Sequence, residues 1–362
     1  MGRVVIFGAG GTAGHVFMAR GIAYHLKERR VLVTDLRGSR YACDCRSCIH
    51  KSGQDECELF DEIIILPIVS GKLRNIVGLV KSVWRCVKLG WKYKRSIYIG
   101  CGAYVSIIAG IGCLLGLGDI YLYQGDQVPG LANRVLQWLA KICWVSCENI
   151  DLRNKKTVGC VVRHNILPEK MKNDGRFRVL VLGSSVGSSL AHKVLPDALE
   201  LIDSKYYEKL EIIHQIQSNY QQYAKNIYEG LGIKYFISDY IDSAKELPRS
   251  TVVIGRAGWS LLSDLIASKR AAIIVPWSGA KDNHQYYNAL WFCKEDLRWL
   301  MQEKDLTKER LAWFLGELIQ DVLEQNIDSE YINNGILAER SKYIGYSSQG
   351  GEKIASFINK IC

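Results

Sequence analysis

Short apolar runs recur along the chain, and stretches with the apolar spacing of helices separate most of them. Runs of this length are typical of parallel strands buried between two helical layers. The predicted strands are Val4–Phe7, Val31–Thr34, Ile63–Leu66, Ile97–Ile99, Ile120–Tyr123 and Lys141–Ser146, and then Arg178–Gly183, Ile212–Gln215, Lys234–Ile237, Thr251–Ile254 and Ala272–Val275. This rhythm predicts the α/β class with doubly wound parallel sheets.

The pattern stops and then restarts, which predicts two domains. The stretch Asp151–Gly175 is largely polar and contains Lys155-Lys156, so we expect a linker there. A chain of 362 residues is long enough for two domains with full cores. The predicted domains cover residues 1–160 and 161–340. The C-terminal segment, residues 341–362, contains a helix from Gly350 to Cys362 that could return to the first domain.

The stretch from Ser96 to Gly118 carries no charged residue, and its length would permit a membrane span. It divides, however, into a strand at Ile97–Ile99, a glycine turn and a glycine-rich helix from about Tyr104. A strand and a helix that are buried on both faces produce the same composition. We therefore predict a βα unit here rather than a span.

Composition and charge narrow the class of protein and its partners. Hydrophobic residues make up 48% of the chain and charged residues 23%, which are the values of a globular protein. A formal net charge of +10 favours an anionic partner such as a phosphate, a nucleic acid or an acidic membrane. Because the chain enters a strand-like run at once, we expect no signal peptide, and we expect its twelve cysteines to be reduced in the cytoplasm.

One cluster, Cys43-Asp-Cys45-Arg-Ser-Cys48-Ile-His50, contains the residue types of a zinc site. Its ligands crowd together, and no second pair of ligands follows that would close a structural site. A polar loop with incidental cysteines is the simpler interpretation. We therefore predict no metal, with zinc at this cluster as the alternative.

The loop after the first predicted strand has two functional interpretations. Gly8-Ala-Gly10-Gly-Thr-Ala13 fits the dinucleotide pattern G-x-G-x-x-A, and Asp35 ends the second strand near the position of a ribose-binding acid. That combination is typical of an NAD-dependent dehydrogenase. Alternatively, Gly10–His15 lets backbone N–H groups at a helix N-terminus approach a phosphate or a sugar, with His15 as a general base. The loop alone leaves both open, together with a purely structural turn.

The second half contains groups that a dehydrogenase does not need. Gly183–Ser188 is another glycine loop between a strand and a helix, and it is suited to an anion. Arg256 follows the strand Thr251–Ile254, and Asp264 lies on the next helix, where its carboxylate could accept both ribose hydroxyls. Pro276–Gln285 then carries amide, imidazole and carboxylate groups after a strand, where open α/β sheets bind ligands. Together these features favour a sugar-nucleotide site.

Seven segments, in order along nearly the whole chain, resemble the MurG family of N-acetylglucosaminyltransferases. They are Gly10–His15, Gly102–Ser106, Val128–Arg134, Val162-Arg163, Val181–Ser185, Arg256–Gly258 and Asp282–Ala289. The resemblance implies a GT-B glycosyltransferase fold, in which two Rossmann-like domains with parallel sheets face each other across a cleft. It also implies inverting transfer of GlcNAc from UDP-GlcNAc to the muramoyl 4-hydroxyl of lipid I, which gives lipid II for peptidoglycan synthesis.

The resemblance also implies a role for each domain and for individual residues. The first domain would hold the acceptor at the membrane, and the second would bind UDP-GlcNAc. His15 is the implied general base. The implied donor-binding residues are Thr12, Ala13 and Gly14 near the diphosphate, Arg163 and Ser185 on the diphosphate, Ile241 at the uracil, Asp264 at the ribose, and His284 with Gln285 at the GlcNAc hydroxyls. No cofactor is implied, and no acidic pair in a matching loop indicates a metal.

The chain departs from the family at several of these positions. Where the family has His-Glu-Gln-Asn, this chain has Tyr123-Gln-Gly-Asp126, which changes groups expected near the acceptor and the sugar. Asp126 is therefore a second candidate acid–base residue as well as a candidate donor contact. The third glycine of the first loop is Ala13, and the ribose-binding glutamate is Asp264. These changes motivate an alternative function, a GT-B binding protein that has lost turnover.

A basic segment in the first domain is suited to a membrane surface. Lys72–Arg95 has the pattern of an amphipathic helix with two tryptophans and no acidic residue. The candidate membrane contacts are Lys81, Trp84, Arg85, Lys88, Trp91 and Lys92. Because the implied acceptor is lipid-linked, we predict a peripheral protein on the cytoplasmic face of the bacterial inner membrane that binds anionic lipid. No nucleic-acid module accompanies the basic segment, so we expect no nucleic-acid partner.

Overall fold

The structure is a computed structural model that describes residues 3–42, 59–67, 76–166, 174–183, 189–294, 296–324 and 348–362. The cysteine cluster Cys43–His50 and the candidate diphosphate residue Ser185 lie outside the described residues. The chain divides into two units, one made of Met1–His164 with Ser347–Cys362 and the other of Asn165–Tyr346.

The first unit is built on a sheet that has seven strands in the described part of the chain, all paired in parallel. They are β1 (Val5–Gly8), β2 (Arg30–Asp35), β3 (Glu62–Leu66), β4 (Ile97–Gly100), β5 (Asp119–Gln124), β6 (Ala140–Val145) and β7 (Lys155–Thr157). Their order across the sheet is β3-β2-β1-β4-β5-β6-β7. The central strands β1 and β4 are buried throughout, as expected when helices cover both faces of a parallel sheet.

The second unit contains a parallel sheet of five strands among its described residues. They are β8 (Phe177–Leu182), β9 (Leu210–Gln215), β10 (Lys234–Ser238), β11 (Val252–Gly255) and β12 (Ala271–Ile274), in the order β10-β9-β8-β11-β12. Each of them coincides closely with a predicted apolar run. The predicted class, α/β with doubly wound parallel sheets, is confirmed in both units.

Helices connect the strands. The α-helices are α1 (Ala13–Ala23), α2 (Leu36–Ser39), α3 (Ile76–Lys92), α4 (Ala103–Leu115), α5 (Leu131–Leu136), α6 (Ser189–Leu199), α7 (Gln221–Gly230), α8 (Ser243–Glu246), α9 (Trp259–Ser268), α10 (His284–Phe292), α11 (Lys308–Leu323) and α12 (Gly350–Ile361). Short 3₁₀ turns lie at Ser204–Lys209, Ser218–Tyr220, Leu247–Arg249, Lys281–Asn283, Leu297–Trp299 and Glu303–Asp305.

Two helical layers flank the sheet of the first unit. Right-handed crossovers place the helices that follow β1 and β2 on one face and those that follow β3, β4 and β5 on the other. The packing agrees with this rule, since α3 contacts α4 and α4 contacts α5, whereas α1 contacts α2 and the C-terminal α12.

The segment predicted as a linker, Asp151–Gly175, begins with regular structure. Its residues Lys155–Thr157 form β7, which pairs in parallel with β6 at the edge of the first sheet. Further on, the Gly350 N–H donates a hydrogen bond to the Cys160 carbonyl (2.9 Å), so α12 starts against the same segment. The sequence did not predict this strand because its three residues are all exposed and show no apolar pattern. The division between the two units, at His164–Asn165, lies within the predicted linker.

The uncharged stretch Ser96–Gly118 forms β4, a glycine turn and α4, as its sequence predicted. None of the helices in the described ranges combines the length and the apolar character that crossing a bilayer requires.

Helices α3 and α4 pack with their backbones in contact. A Cβ on Gly112 would lie 2.3 Å from the carbonyl oxygen of Cys86, and a Cβ on Gly90 would lie 1.9 Å from the carbonyl oxygen of Gly112. Gly116 has the same relation to the Gly90 carbonyl oxygen, at 2.1 Å. Because backbone atoms cannot move aside as a side chain can, any larger residue would push the two helices apart.

Replacing Gly112 by alanine tests this contact. We expect Gly112→Ala to lower the free energy of unfolding by about 1 to 3 kcal/mol, because the new methyl group meets backbone on α3. Gly316→Ala is the matched control, since Gly316 also lies within a helix but has no heavy atom within 4 Å of its added Cβ. That change should be neutral or stabilise by up to about 1 kcal/mol. Urea unfolding of both variants measures the difference, and equal midpoints would contradict the proposed contact.

Candidate active site

The strand order reverses once in each sheet, and the candidate residues lie in the loops beside the reversal. In the first unit, β1 leads to β2 on one side, whereas its other neighbour, β4, leads to β5. In the second unit the same reversal lies between β8 and β11. Open α/β sheets bind ligands at the carboxyl ends of such strand pairs. His15 follows β1 in the first unit, and Arg256 follows β11 in the second.

The carboxylate of Asp35, at the end of β2, holds the glycine loop that follows β1. Its Oδ1 accepts hydrogen bonds from the Gly11 N–H (3.0 Å) and the Gly38 N–H (2.8 Å). Gly11 has a φ of 73°, which favours glycine, and a Cβ on Gly10 would lie only 3.1 Å from Asp35 Oδ1. Asp35 is buried and bound to its own loop. The acid that a dehydrogenase would offer to a ribose is therefore already engaged within the fold.

His15 lies in the first turn of α1, and one nitrogen of its ring is fixed. Nδ1 is 2.9 Å from the Gly10 carbonyl oxygen and 3.1 Å from the Thr12 hydroxyl. Because a carbonyl oxygen can only accept, Nδ1 carries the proton in the neutral ring and Nε2 bears the lone pair. This tautomer presents Nε2 as a proton acceptor, as a general base requires.

The turn between β4 and α4 lies against the other edge of the same imidazole. A Cβ on Gly102 would lie 2.8 Å from His15 Nε2, and the φ of 112° at Gly102 also favours glycine. The Ser106 hydroxyl donates to the Gly8 carbonyl (2.6 Å) and accepts from the Gly102 N–H (3.1 Å), which ties this turn to the end of β1.

Tyr104 links this second turn to Asp35. Its hydroxyl donates to Asp35 Oδ2 at 2.6 Å. Burial, together with this hydrogen bond, raises the pKa of Tyr104 well above its usual range. The hydroxyl therefore remains a donor at any pH at which the protein is expected to work.

The other predicted residues of the first unit lie along α1. Thr12 is the exposed residue that precedes the helix, and Ala13 with Gly14 places backbone N–H groups at its positive end. The guanidinium of Arg163 lies over the ring of Phe17, 4.8 Å from its centroid. The structure thus gathers residues 12–15 at one helix end and places Arg163 against the next turn.

The segment Tyr123–Asp126, which departs from the family pattern, is mostly turned inward. The buried Tyr123 hydroxyl accepts from the Val161 N–H (3.0 Å) and lies 3.3 Å from the Gly159 carbonyl oxygen. The Gln124 amide donates to the Asp126 carbonyl (2.8 Å) and so shapes the loop. Asp126 itself is half-buried after the end of β5. Of the polar residues in this segment, Asp126 is thus the one that retains partial exposure.

In the second unit, a buried ion pair fixes the loop that follows β11. Arg256 is 7% exposed, and its Nη2 lies 2.6 Å from Glu303 Oε1, while Nη1 donates to the Val275 carbonyl at 3.2 Å. The Ser278 N–H and hydroxyl both donate to Glu303. Burial alone would raise the pKa of Glu303, but the hydrogen bonds from Ser278 and the charge of Arg256 outweigh it and hold that pKa below its ordinary value.

Helix α10 presents the predicted sugar-binding residues. Gln285 Oε1 accepts from the Trp277 N–H (2.9 Å), an arrangement that leaves the Gln285 amide NH2 as a donor. His284 Nδ1 lies 2.8 Å from the Lys281 carbonyl oxygen, so Nε2 bears the lone pair in the neutral ring. Asn288 ties the helix to the Arg256 loop by donating to the Ala257 carbonyl at 3.0 Å.

The two residues predicted to bind the nucleoside, both in the second unit, are buried. Asp264 lies in the second turn of α9 and is 3% exposed. Ile241 lies in the loop after β10 and is also buried. Ile241 thus follows the end of β10, and Asp264 lies on the helix that follows β11.

Sequence reasoning did not assign a role to Glu303, and it treated Asp35 only as a dehydrogenase acid. Glu303 lies in a segment with no motif, and its pairing with Arg256 spans many residues along the chain. Tyr104 lies within Gly102–Ser106, one of the seven segments that resemble the MurG family. That resemblance was the feature of the sequence that could have identified it.

The described residues contain no group of three or more histidine, cysteine, aspartate or glutamate side chains placed to hold a metal ion. Burial raises the pKa of the Cys147 thiol to about 11, so this cysteine remains protonated near neutral pH. The cluster Cys43–His50, where zinc was the alternative, lies outside the described residues.

Two sequence models of one family match the chain. The glycosyltransferase family 28 N-terminal domain matches residues 5–144, and the glycosyltransferase family 28 C-terminal domain matches residues 178–334. The first match spans β1 to β5 and nearly all of β6, and the second spans nearly all of the second unit's sheet, whereas β7 lies outside both.

Full-length relatives share the sequence at a moderate level. A protein of Rickettsia bellii is 28% identical over 88% of this chain and 91% of its own length, and one of Sulfurihydrogenibium is 29% identical over 90% and 92%. Both are named UDP-N-acetylglucosamine–N-acetylmuramyl-(pentapeptide) pyrophosphoryl-undecaprenol N-acetylglucosamine transferase.

The crystal structure of Acinetobacter baumannii MurG is similar in fold, with a TM-score of 0.72 at 20% identity. The match covers 99% of this chain and 100% of that one. The predicted GT-B fold, built from two Rossmann-like α/β units, is confirmed.

Replacing Glu303 by glutamine tests the buried ion pair. We expect Glu303→Gln to lower the free energy of unfolding at pH 7 by about 3 kcal/mol, because Arg256 keeps a buried charge without its partner. Since the folded-state pKa of Glu303 lies below the ordinary 4.5, the stability that it contributes is complete above pH 4.5 and is lost as the pH falls through the folded-state value. Urea unfolding from pH 7 to pH 3 should show the two proteins converging.

Glu317→Gln, at an exposed carboxylate on α11, is the control and should change little at any pH. A loss of stability in Glu303→Gln that is small at pH 7, or that grows in acid, would contradict the assignment.

Proposed function

The chain belongs to the MurG family, within glycosyltransferase family 28, and from this we propose that it transfers GlcNAc from UDP-GlcNAc to the muramoyl 4-hydroxyl of lipid I. The product would be lipid II, a precursor of peptidoglycan. The observation that carries the proposal is the imidazole of His15, whose Nδ1 is held by the Gly10 carbonyl so that Nε2 is the basic nitrogen.

The proposed reaction is a single displacement with inversion at the anomeric carbon. The acceptor oxygen forms a bond to C1 of GlcNAc while the bond from C1 to the β-phosphate oxygen of UDP breaks. The acceptor proton moves to His15 Nε2, and the bonding electron pair leaves with UDP. We propose that the N–H groups at the start of α1, near Thr12, Ala13 and Gly14, together with Arg163, meet the negative charge of the diphosphate.

We assign the donor nucleotide to the second unit. In this proposal Asp264 binds the ribose, Ile241 lies against the uracil, and Ser185 contacts the diphosphate. His284 Nε2 and the amide NH2 of Gln285 would bind the GlcNAc hydroxyls, which agrees with the orientations that the Lys281 and Trp277 backbone gives them. Asp126, at the end of β5 in the first unit, remains a candidate for a sugar contact or a second acid–base role.

We also propose that α3 holds the protein at an anionic membrane, on the cytoplasmic face of the inner membrane. Trp84 and Trp91 are each about half exposed, at 51%, and Lys81 and Lys88 are exposed on the same helix. Of the other predicted contacts, Lys92 pairs with Glu62 (2.9 Å) and Arg85 donates to the Ile65 carbonyl (3.1 Å), whereas the Lys88 ammonium lies over the ring of Trp84, 5.5 Å from its centroid. Lys81, Trp84, Lys88 and Trp91 are therefore the stronger candidates for membrane contact.

Changing His15 tests the proposed base. We expect His15→Ala to lower kcat for transfer to a lipid I analogue by about 100-fold to 10,000-fold, because no base then removes the proton from the attacking hydroxyl group. UDP binding should remain, since the donor is assigned to the second unit. His25→Ala is the matched control, because His25 is an exposed histidine just past the end of α1, and it should transfer at the wild-type rate.

Radiolabel transfer from UDP-GlcNAc measures kcat, and fluorescence titration measures UDP binding. A His15→Ala enzyme with nearly full kcat would exclude His15 as the base. A wild-type protein that binds UDP-GlcNAc but never transfers it would instead support a binding protein that has lost turnover.

Membrane binding is tested at the two exposed lysines of α3. We expect Lys81→Ala and Lys88→Ala each to weaken binding to phosphatidylglycerol-containing vesicles about fivefold, since a cation near an anionic surface contributes about 1 kcal/mol. The controls are the single variants Lys353→Ala and Lys360→Ala. Each removes an exposed cation from α12, which lies on the opposite face of the first unit's sheet. Vesicle sedimentation measures the binding, and equal losses from both helices would argue against α3 as the membrane contact.

A further inference from the structure

We propose that Asp35 is a positioning residue for His15, a role that rests on the proposed transferase function. Asp35 is 1% exposed and accepts hydrogen bonds at both carboxylate oxygens. Its hydrogen-bond partners are the Gly11 and Gly38 N–H groups and the Tyr104 hydroxyl, and not the imidazole. It holds the two backbone segments between which the imidazole lies.

The first of these segments is the loop between β1 and α1. The Gly11 N–H donates to Asp35 Oδ1 (3.0 Å), and the preceding residue, Gly10, packs down on that oxygen. The Gly10 carbonyl accepts from both the Thr12 N–H (2.8 Å) and His15 Nδ1 (2.9 Å). Asp35 therefore fixes the peptide whose carbonyl selects the tautomer of His15.

The second segment is the turn between β4 and α4. The Tyr104 hydroxyl donates to Asp35 Oδ2 at 2.6 Å. Two residues earlier, Gly102 lies against the opposite edge of the imidazole, where a Cβ would meet His15 Cδ2 at 2.6 Å and Nε2 at 2.8 Å. The Asp35 carboxylate thus joins the two segments that flank the ring, in addition to the Ser106 hydroxyl, which ties the second segment to the Gly8 carbonyl.

This arrangement has a chemical consequence for the base. A ring that is free to rotate or to change tautomer would offer the protonated nitrogen to the acceptor for part of the time. With Asp35 in place, the Gly10 carbonyl keeps the proton on Nδ1 and the Gly102 turn limits rotation of the ring. The acid that fits a dinucleotide pattern in the sequence is used here to orient a histidine.

The test compares three variants by two independent measurements. Asp35→Ala removes both ties, Tyr104→Phe removes the tie to the Gly102 turn alone, and Asp35→Asn keeps an oxygen for the Gly11 and Gly38 N–H groups. We expect kcat to fall roughly 100-fold in Asp35→Ala and about tenfold in Tyr104→Phe, with KM for UDP-GlcNAc changed less than about twofold. Asp35→Asn should recover most of the lost rate.

The second measurement does not depend on activity. In ¹⁵N-histidine-labelled protein, with the His15 signals identified by their loss in His15→Gln, the wild type should show the Nδ1–H tautomer. Asp35→Ala should show a mixture of tautomers. Asp61→Asn is the matched control, because Asp61 is a carboxylate that accepts from the Arg30 N–H at the other end of β2 (2.7 Å), and it should leave both kcat and the tautomer unchanged.

The proposal is overturned if folded Asp35→Ala or Tyr104→Phe keeps both the wild-type kcat and the wild-type His15 tautomer. It is also overturned if Asp61→Asn lowers kcat to the same extent as Asp35→Ala. If the wild type shows no transfer at all, the proposed function fails, and the tautomer measurement alone still decides whether Asp35 orients His15.

Discussion

The first unit depends on close contacts at glycines where no Cβ can fit. Near the carboxyl ends of β1 and β4, a side chain on Gly8 would collide with Tyr98, and one on Gly102 would collide with His15. At the other end of α4, Gly112 allows the same closeness to α3. These contacts keep α4 pressed on its neighbours along its length. The turn that flanks His15 is consequently part of a rigid layer rather than a loose surface loop.

Most of the fold could be predicted from the sequence because buried parallel strands leave a strong signal. Each is a short apolar run, and the glycine loops mark where a strand gives way to a helix. The exposed strand β7, Lys155–Thr157, left no such signal. Its place is set by hydrogen bonds to β6, which are made by backbone and are independent of side-chain type.

Only part of the candidate site could be predicted from the sequence. The predicted residues belong to short local motifs, whereas the missed contacts join residues that are far apart along the chain. The loop Gly10–His15 and helix α10 are local motifs, so their residue types and spacing identify them. The bond from Tyr104 to Asp35 and the ion pair from Arg256 to Glu303 join residues far apart in sequence. The sequence pattern alone assigns Asp35 to a nucleotide ribose. In the structure, both of its carboxylate oxygens already accept hydrogen bonds from Gly11, Gly38 and Tyr104.

The same logic explains the departure at Tyr123. The resemblance places a histidine at this position in the family, but here the tyrosine hydroxyl is buried and hydrogen-bonded to the backbone around Gly159 and Val161. The first residue of α12, Gly350, also donates a hydrogen bond to that segment, at the Cys160 carbonyl. The tyrosine therefore stabilises the connection between these chain segments. In the proposed reaction His15 is the candidate base and Asp126 the other titratable candidate, so the orientation of one imidazole would matter more in this chain.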